Sequence, residues 1–218
     1  MSDSTSVTAG PNRSTRQKQK TRAGLIQAEM SVMAAKGADA ATINDITEAA
    51  DVGFGSFYNH FASKEDILEA ATNELFDVIG GKIDEAIYAI ADPRVALATA
   101  IRTFVAILML KKEWARFIIR ISSPPGYKRF RMYSRLFRDI QKIHASKRLE
   151  LSDPEVVTYA VGGAILFIII AIVEGDLPEA DAPKRIAAMA LRMLGEKEDI
   201  IRTIVALPLP IQEADLLA

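Results

Sequence analysis

The chain has 218 residues, of which 50% are apolar and 25% are charged, and its formal net charge is −1 at pH 7. This is the composition of a globular protein with room for one medium domain, or for a small domain joined to a larger one. The chain contains no cysteine and two histidines, which excludes a disulfide framework, a thiolate metal site and a histidine-rich metal site, and no cofactor is predicted.

The first residues of the chain are small and polar. Residues 1–15 are predicted to form a disordered leader without the apolar stretch of a secretory signal, so a cytoplasmic protein is expected. From about residue 16 to Lys36 the composition favours a helix. Basic side chains with no acid between them lie where the two segments meet: Arg13, Arg16, Lys18, Lys20 and Arg22. A nearly neutral chain with one basic patch suits a protein that contacts nucleic acid locally.

Two short helices are predicted over 43–50 and 54–60, joined by a tight turn. Thr42 precedes the first helix and Asp45 follows three residues later, which is the pattern of a capping box. The second segment contains Gly53 and Gly55, and because glycine is costly in a helix, another molecule is expected to approach the backbone closely there. This is the helix-turn-helix arrangement, whose second helix enters the major groove of DNA.

The polar side chains of this segment suit different parts of DNA. Ser56 and Asn59 can bond base edges, whereas Tyr58 and His60 can reach phosphate oxygens. Lys64 stands in the first turn of the next helix, where backbone amides already favour a phosphate. An aromatic-rich core helix is the other interpretation, and the polar residues between the aromatic ones argue against it.

Three motifs occur in order: Thr42-Ile43-Asn44-Asp45-Ile46, then Gly53-Phe54-Gly55-Ser56-Phe57-Tyr58-Asn59-His60-Phe61, then Ser63-Lys64-Glu65. In order and in spacing, without gaps, they resemble the N-terminal domain of the TetR family of bacterial transcriptional regulators. The likeness is good over residues 16–70, and beyond them it is the general plan of a helical C-terminal domain. The resemblance implies phosphate contacts by Thr42, Tyr58, His60 and Lys64. It implies base contacts by Phe54, Gly55, Ser56 and Asn59, with flanking contacts by the basic segment 13–22.

Three positions depart from the family pattern, and one of them, Thr47 in place of the usual alanine, is a small change. Asp51 stands where the turn usually has glycine, and aspartate tolerates the left-handed conformation better than most residues. Glu29 falls where the first helix usually packs an alanine inward. Either Glu29 is paired with a basic neighbour, or the helix is rotated slightly and its core face is formed by Ile26, Met30 and Met33.

The remainder of the chain is predicted to be helical. An apolar residue at every fourth position marks a long helix after Ser63, with the stripe Ile67, Ala71, Leu75, Ile79, Ile83 and Ile87. Further helices are predicted over about 94–111, 113–121, 127–148, 154–174, 183–194 and 197–206. No segment alternates with period two. The fold class is therefore all-α, and the resemblance implies a three-helix DNA-binding domain over 16–64 and a helical effector-binding and dimerisation domain over 65–218.

The segment Val156–Val173 is almost continuously apolar, which permits two interpretations. Its length is borderline for crossing a bilayer, but its flanks lack the basic cluster and the aromatic belt of an anchored helix. A helix that is apolar all round is also buried between a core and a partner subunit. The TetR resemblance implies a dimer interface on the two long helices at this end of the chain. We therefore favour the second interpretation, a homodimer through helices about 154–174 and 183–194, with no membrane contact.

By the resemblance, the C-terminal domain encloses a small apolar or aromatic effector. Candidate lining residues are chosen for apolar bulk, although packed core is an equal explanation for them: Phe104, Ile107, Leu108, Trp114, Phe117, Tyr133, Phe137 and Phe167. A basic run is interpreted as a solvated helix face, or alternatively as an attractor of an acidic effector: Lys128, Arg129, Arg131, Arg135, Arg138 and Lys142.

Together these patterns predict a ligand-responsive repressor that binds an inverted-repeat operator as a two-fold dimer and associates with the nucleoid when bound. No nucleotide-binding loop, nucleophile elbow or metal-ligand spacing is present, so neither an enzyme nor a metal site is expected. Two alternatives stay open. One is a membrane-associated helical protein anchored by 156–173, and the other is a helical carrier or enzyme with a vestigial DNA-binding head.

Overall fold

The structure is a computed structural model that describes residues 13–37, 40–122, 131–147, 149 and 151–216. Most of the predicted leader, and Lys128 and Arg129 of the basic run, lie outside these residues. Within them the chain is all-α, as predicted, with no strand. The helices are α1 (Arg13–Lys36), α2 (Ile43–Ala49), α3 (Phe54–Tyr58), α4 (Lys64–Ile87), α5 (Pro93–Leu110), α6 (Lys112–Ile121), α7 (Arg131–Ala145), α8 (Pro154–Glu174), α9 (Ala182–Met193), α10 (Glu198–Ala206) and α11 (Glu213–Leu216).

The helix bounds differ from the prediction at a few ends. Helix α1 begins at Arg13, so the prediction of a disordered leader up to residue 15 is wrong for its last residues. Arginine, lysine and glutamine are good helix formers, and they extend α1 backwards through the basic segment. Helix α3 ends at Tyr58 rather than at residue 60, with Asn59 as its C-cap. Helix α11 was not expected from the sequence.

Polar caps and glycines set the ends of the long helices. The Asp92 side chain accepts the amide of Arg94 at the start of α5, and Asp153 accepts the amides of the first turn of α8. Each is followed directly by a proline, whose missing N–H costs nothing at that position. Gly175 ends α8 with φ +90°, a conformation that glycine adopts without strain.

The chain divides into two compact units, residues 1–71 and 72–218, and the boundary falls inside α4. The sequence placed it after Lys64. The first unit is built on α1 to α3 and the first turns of α4. Its large, fully buried apolar side chains come from each of these helices: Leu25, Ile26, Met33, Ile46, Phe57 and Ile67.

Helix α5 is central to the second unit, where it packs against α6, α7, α9 and α10. Ion pairs show that α5 and α9 run antiparallel. Arg94 Nη1 lies 2.9 Å from Glu196 Oε2 near the start of α5, and Lys112, just beyond the end of α5, pairs with Glu179 ahead of α9. The buried stripe of α4 continues into this unit with Leu75, Ile79 and Ile83.

Candidate nucleic-acid interface and ligand cavity

The turn between α2 and α3 closes through backbone hydrogen bonds. The amide of Val52 donates to the Thr47 carbonyl oxygen at 3.0 Å, and the Thr47 hydroxyl donates to the carbonyl oxygen of Ile43. Asp51 adopts the left-handed conformation with φ +53°, which confirms that aspartate replaces the usual glycine of this turn. The two helices are therefore joined by the tight corner of a helix-turn-helix unit.

Thr42 caps α2 as the sequence predicts. Its Oγ1 accepts the amide of Asp45 at 3.2 Å, and Asp45 Oδ2 accepts the amide of Thr42 at 3.1 Å. Lys36 Nζ donates to Asp45 Oδ1 at 2.8 Å. The hydrogen bonds from Lys36 and then from Thr42 lower the pKa of Asp45 below its usual value. The capping box fixes the start of α2 and leaves Thr42 exposed.

Helix α3 has one buried side and one exposed side. Phe57 is fully buried and Phe61 nearly so, and their rings anchor the helix. Phe54 and Tyr58 are 51% and 53% exposed, with ring centroids 5.6 Å apart. Two large aromatic side chains held at the surface suit contact with another molecule, because burying apolar area away from water is favourable.

The glycines of this segment are not explained by packing within the protein. A Cβ built at Gly53 or Gly55 meets no other atom within 4 Å. Since alanine is better than glycine in a helix by about 1 kcal/mol, the absence of a side chain at Gly55 favours close approach of an external molecule. Asn59 is exposed beside it, and Ser56 is half-buried.

Cationic groups converge beside His60. Its Nδ1 is buried and has no hydrogen-bond partner among the described residues. Burial, followed by the positive charges of Lys18 and Arg22, lowers the pKa of His60 below its ordinary value. The guanidinium of Arg22 lies over the Phe61 ring, 5.1 Å from its centroid. Basic groups that repel one another in the free protein suit a site for an anion such as a phosphate.

Lys64 and Glu29 are two charged residues whose side chains are directed toward the protein itself. The ammonium of Lys64 donates to the Ala41 carbonyl oxygen at 2.7 Å, so it ties the first turn of α4 to the residue before Thr42. Glu29 is fully buried on the same side of α1 as Ile26 and Met33, so α1 is not rotated to expose it. Neither Glu29 oxygen has a hydrogen-bond partner among the described residues. Burial raises the pKa of Glu29 to about 7, and the charge of Lys64 opposes that shift.

The second unit contains a cavity of about 800 Å³, its open mouth included. Ligand pockets for small molecules are mostly apolar. The wall of the cavity in this unit is formed by residues between the start of α4 and the end of α8: Phe76, Ile83, Leu97, Ala100, Ile101, Phe104, Ile118, Ser122, Met132, Tyr133, Arg135, Leu136, Asp139, Gly162, Ile165 and Leu166. The cavity suits a small molecule with an apolar body and few polar groups.

Charged residues of α7 form the polar part of the wall. Arg135 Nη1 lies 2.5 Å from Asp84 Oδ2 and donates to the carbonyl oxygen of Gly80. A Cβ at Gly80 would lie 2.5 Å from the Arg135 guanidinium carbon, so the glycine makes room for this side chain. Asp139 is 5% exposed, and its Oδ1 accepts bonds from Arg138 and Lys142. Asp139 therefore lines the cavity with a carboxylate that is paired through Oδ1.

The structure does not bring the predicted pocket residues together. Phe104 and Tyr133 line the cavity, whereas Ile107, Leu108 and Phe117 are fully packed core. Three others are not among the lining residues: Trp114 lies under the ammonium of Lys111, Phe137 stacks on Tyr133, and Phe167 is 73% exposed. Apolar bulk alone does not tell the cavity side of a helix from its core side or its outer side.

The polar wall residues were missed because the basic run was interpreted as a solvated face. That interpretation is wrong for Arg135, whose side chain is 22% exposed and bound to α4, whereas Arg138 and Lys142 remain largely exposed. The sequence contained a signal for the polar part of the cavity wall. Asp139 is an acid within the basic run, four residues after Arg135 and directly before Ile140, which is buried.

Helix α8 carries an unpaired apolar side. Val156 is 61% exposed and Phe167 is 73% exposed, and the small residues Ala160 and Gly163 lie exposed between them on the same side of the helix. Among the described residues, α5 and α8 have the length and apolar composition that could cross a membrane. Helix α5 is packed in the core of its unit, so α8 is the one with an open apolar side.

Among the described residues no group of three or more His, Asp or Glu could hold a metal ion.

Two family models match the chain. Residues 25–71 match "Bacterial regulatory proteins, tetR family", and residues 92–206 match "Tetracyclin repressor-like, C-terminal domain". The chain belongs to the TetR family. Members of this family are cytoplasmic DNA-binding regulators rather than enzymes, and they bind operator DNA, dimerise and respond to small-molecule effectors.

Two curated relatives in the TetR family are named HTH-type transcriptional repressor KstR2. The protein from Rhodococcus jostii is 31% identical over 97 residues, which cover 44% of this chain and 48% of the relative. The protein from Mycolicibacterium smegmatis is 33% identical over 61 residues, which cover 28% and 30%. The chain therefore matches about half the length of these relatives or less.

Solved structures of TetR-family proteins match most of the chain. RolR in complex with the ligand resorcinol is 28% identical with a TM-score of 0.69, over 90% of this chain and 98% of that chain. RolR without ligand has a TM-score of 0.66 over 87% and 98%. A TetR-family regulator from Marinobacter aquaeolei VT8 is 17% identical with a TM-score of 0.67 over 82% and 95%, which shows a shared fold.

Proposed function

We propose that this TetR-family regulator is a repressor that binds an inverted-repeat operator as a homodimer and is released by a small phenolic effector. The observation that carries the proposal is α3, which is anchored by Phe57 and presents Phe54, Gly55, Tyr58 and Asn59 outward. A short exposed helix behind a tight turn is the element that enters the major groove.

The contacts with DNA divide by chemistry. Ser56 and Asn59 are proposed to read base edges, together with Phe54 and the open backbone at Gly55. Thr42, Tyr58, His60 and Lys64 are proposed to hold phosphates, and the exposed basic half of α1 adds flanking contacts. The phosphate contacts supply most of the affinity and make it depend on salt.

The cavity of the second unit favours an aromatic effector with hydroxyl groups. Phe76 and Phe104 offer apolar surface to a ring, and Ser122, Tyr133 and Asp139 offer groups that bond hydroxyls. RolR, which shares 28% identity with this chain, was solved with resorcinol, a benzene ring with two hydroxyl groups. The Asp139 carboxylate is the acceptor proposed for one of these hydroxyls.

The open apolar side of α8 is proposed to form the dimer interface with α9. Val156 and Phe167 would be covered by a second copy, and Ala160 and Gly163 would let two helices approach closely. Substituting Phe167→Glu is expected to give monomers without unfolding the chain, because the side chain makes few contacts within one subunit. Light scattering coupled to gel filtration measures this. A Phe167→Glu protein that remains a dimer would place the interface elsewhere.

Release is proposed to act through α4. This helix supplies Lys64 to the first unit, and it supplies Phe76, Gly80 and Ile83 to the cavity region of the second. An effector that prefers the dimer with separated DNA-binding heads shifts the population away from the form that fits the operator. The size of this population shift is limited by how much more tightly the effector binds the dimer with separated heads than the dimer that fits the operator.

The test uses the whole protein and labelled DNA from the region flanking its own gene. Wild-type protein is expected to form a sequence-specific complex at moderate salt, and resorcinol is expected to release it. Asp139→Asn should need more resorcinol for release at unchanged DNA affinity, while Asp176→Asn, an exposed loop acid, serves as control. A ligand that binds the protein without any DNA complex would instead support a helical carrier with a vestigial head.

A further inference from the structure

Glu29 is a buried acid in the DNA-binding unit that neither the helix-turn-helix geometry nor the cavity uses. It is 0% exposed, and both of its oxygens lack a hydrogen-bond partner among the described residues. A buried carboxyl without partners is costly, because its charged form loses hydration that nothing replaces. Such a group is retained at a stability cost, so a role in the function of the unit is the natural explanation.

Lys64 is the charged side chain whose field reaches Glu29. Its ammonium is directed into the unit, where it donates to the Ala41 carbonyl oxygen at 2.7 Å, and the side chain is half-buried. A phosphate of bound DNA would draw the same ammonium outward. Because an ammonium has three N–H donors, the switch requires that the phosphate lie too far from the Ala41 carbonyl oxygen for one position of the Lys64 side chain to reach both.

We propose that Glu29 is a positioning residue for operator binding, whose carboxylate holds Lys64 inward on Ala41 and whose protonation releases Lys64 to a DNA phosphate. The proposal rests on the phosphate role of Lys64 given above. When Lys64 moves outward, the Glu29 carboxylate loses the positive charge that stabilises it in the buried site. Binding of DNA is then accompanied by uptake of a proton on Glu29, and operator affinity falls as pH rises.

The pH range follows from the groups around Glu29. Burial raises the pKa of Glu29 to about 7 in the free protein, so the carboxyl titrates near neutrality. On α2, Asp45 is bound by Lys36 and Thr42, and Glu48 is exposed. His60 responds to Lys18 and Arg22, not to Glu29. Protonation of His60 also favours DNA at low pH, so the Glu29 contribution must be measured as a difference between variants.

The experiment compares wild type, Glu29→Gln, Lys64→Met and the double variant. Fluorescence anisotropy gives their affinity for a duplex from the region flanking the gene, between about pH 6 and pH 8.5. One proton taken up per head corresponds to a tenfold fall in affinity per pH unit per head as an upper limit. Above pH 7, Glu29→Gln is expected to bind DNA more tightly than wild type does. For each pH unit, the fall in its affinity should be smaller than the fall for wild type by roughly threefold to tenfold.

The double variant decides whether Glu29 acts through Lys64. In the Lys64→Met background, adding Glu29→Gln is expected to leave affinity unchanged within about twofold, since coupled residues are not additive. Glu29→Ala, which carries the residue usual in the family, is the second variant in case Gln packs badly, and circular dichroism verifies the helix content of each protein.

The outcomes separate the inference from the proposed function. Equal pH profiles for wild type and Glu29→Gln, or additive effects in the double variant, overturn the inference while DNA binding stands. Lys64→Met binding as tightly as wild type overturns both the phosphate role of Lys64 and the inference. A wild-type protein that binds no duplex overturns the proposed function itself.

Discussion

Replacing Glu29 by glutamine tests the energetics of the DNA-binding unit in the absence of DNA. Glutamine has the size and shape of glutamate but no charge, so the change removes the cost of burying a carboxylate and little else. A pKa raised from 4.5 to about 7 corresponds to roughly 3 kcal/mol, at 1.36 kcal/mol per pH unit. Because the side chain is 0% exposed, solvent screening does not reduce this figure much.

The sign follows from proton linkage. The folded unit binds the Glu29 proton more tightly than the unfolded chain does, so the stability from this group is fully present below about pH 4.5. It is lost as pH rises to about 7 and stays lost above that value. The pKa of His60 is lowered in the folded protein, so its contribution to stability is lost in the opposite direction, as pH falls. Comparing variants that share His60 cancels its effect.

Hydrogen exchange measured by mass spectrometry is the suitable assay, because it reports opening of the first unit within the whole protein. Peptides from α1 are expected to lose about 2.5 kcal/mol of protection in wild type between pH 5 and pH 8, relative to Glu29→Gln, since part of the full change falls below pH 5. Glu48→Gln, an exposed glutamate of α2, is the matched control and should follow wild type. The same pH dependence in wild type and Glu29→Gln would refute the reasoning, because it would mean that Glu29 is not buried without a partner.

Two further pairs of variants test other parts of the structure. Gly81→Ala, where an added Cβ meets nothing within 4 Å, should raise the free energy of unfolding by about 1 kcal/mol in urea titrations. Gly80→Ala should gain less, because its Cβ displaces the Arg135 guanidinium; an equal gain would show that this contact is not needed. Tyr58→Ala should weaken binding to operator and random DNA alike in gel-shift titrations, whereas Asn59→Ala should mainly relax specificity. Equal losses on both kinds of DNA for both variants would contradict the assigned roles.

The DNA-binding unit could be predicted from the sequence because its signals are local. Thr42 and Asp45 lie within one turn, and they form the capping box that their spacing predicts. Asp51 takes the left-handed conformation that its place in the turn requires. Such features depend on neighbouring residues in the chain, so the pattern alone is sufficient to place them.

The cavity could not be predicted because it depends on how distant helices pack. Phe117 and Phe167 are equally apolar, yet one is fully buried and the other is 73% exposed. The polar wall required knowledge that Arg135 of α7 lies against Gly80 of α4, far apart in the sequence. For Glu29 the sequence indicated a departure from the family pattern, and only the packing of α1 shows that the carboxyl stays buried with no hydrogen bond to any residue that the structure describes.

Footprinting of the whole protein on DNA flanking its own gene tests the central claim most directly, that this TetR-family regulator reads an operator through α3. At moderate salt we expect protection of an inverted repeat, with half-sites about one helical turn or a multiple of it apart. We expect that protection to disappear for a variant combining Tyr58→Ala and Asn59→Ala. Protection that survives in this variant, or no protected site in excess of random DNA, would contradict the account.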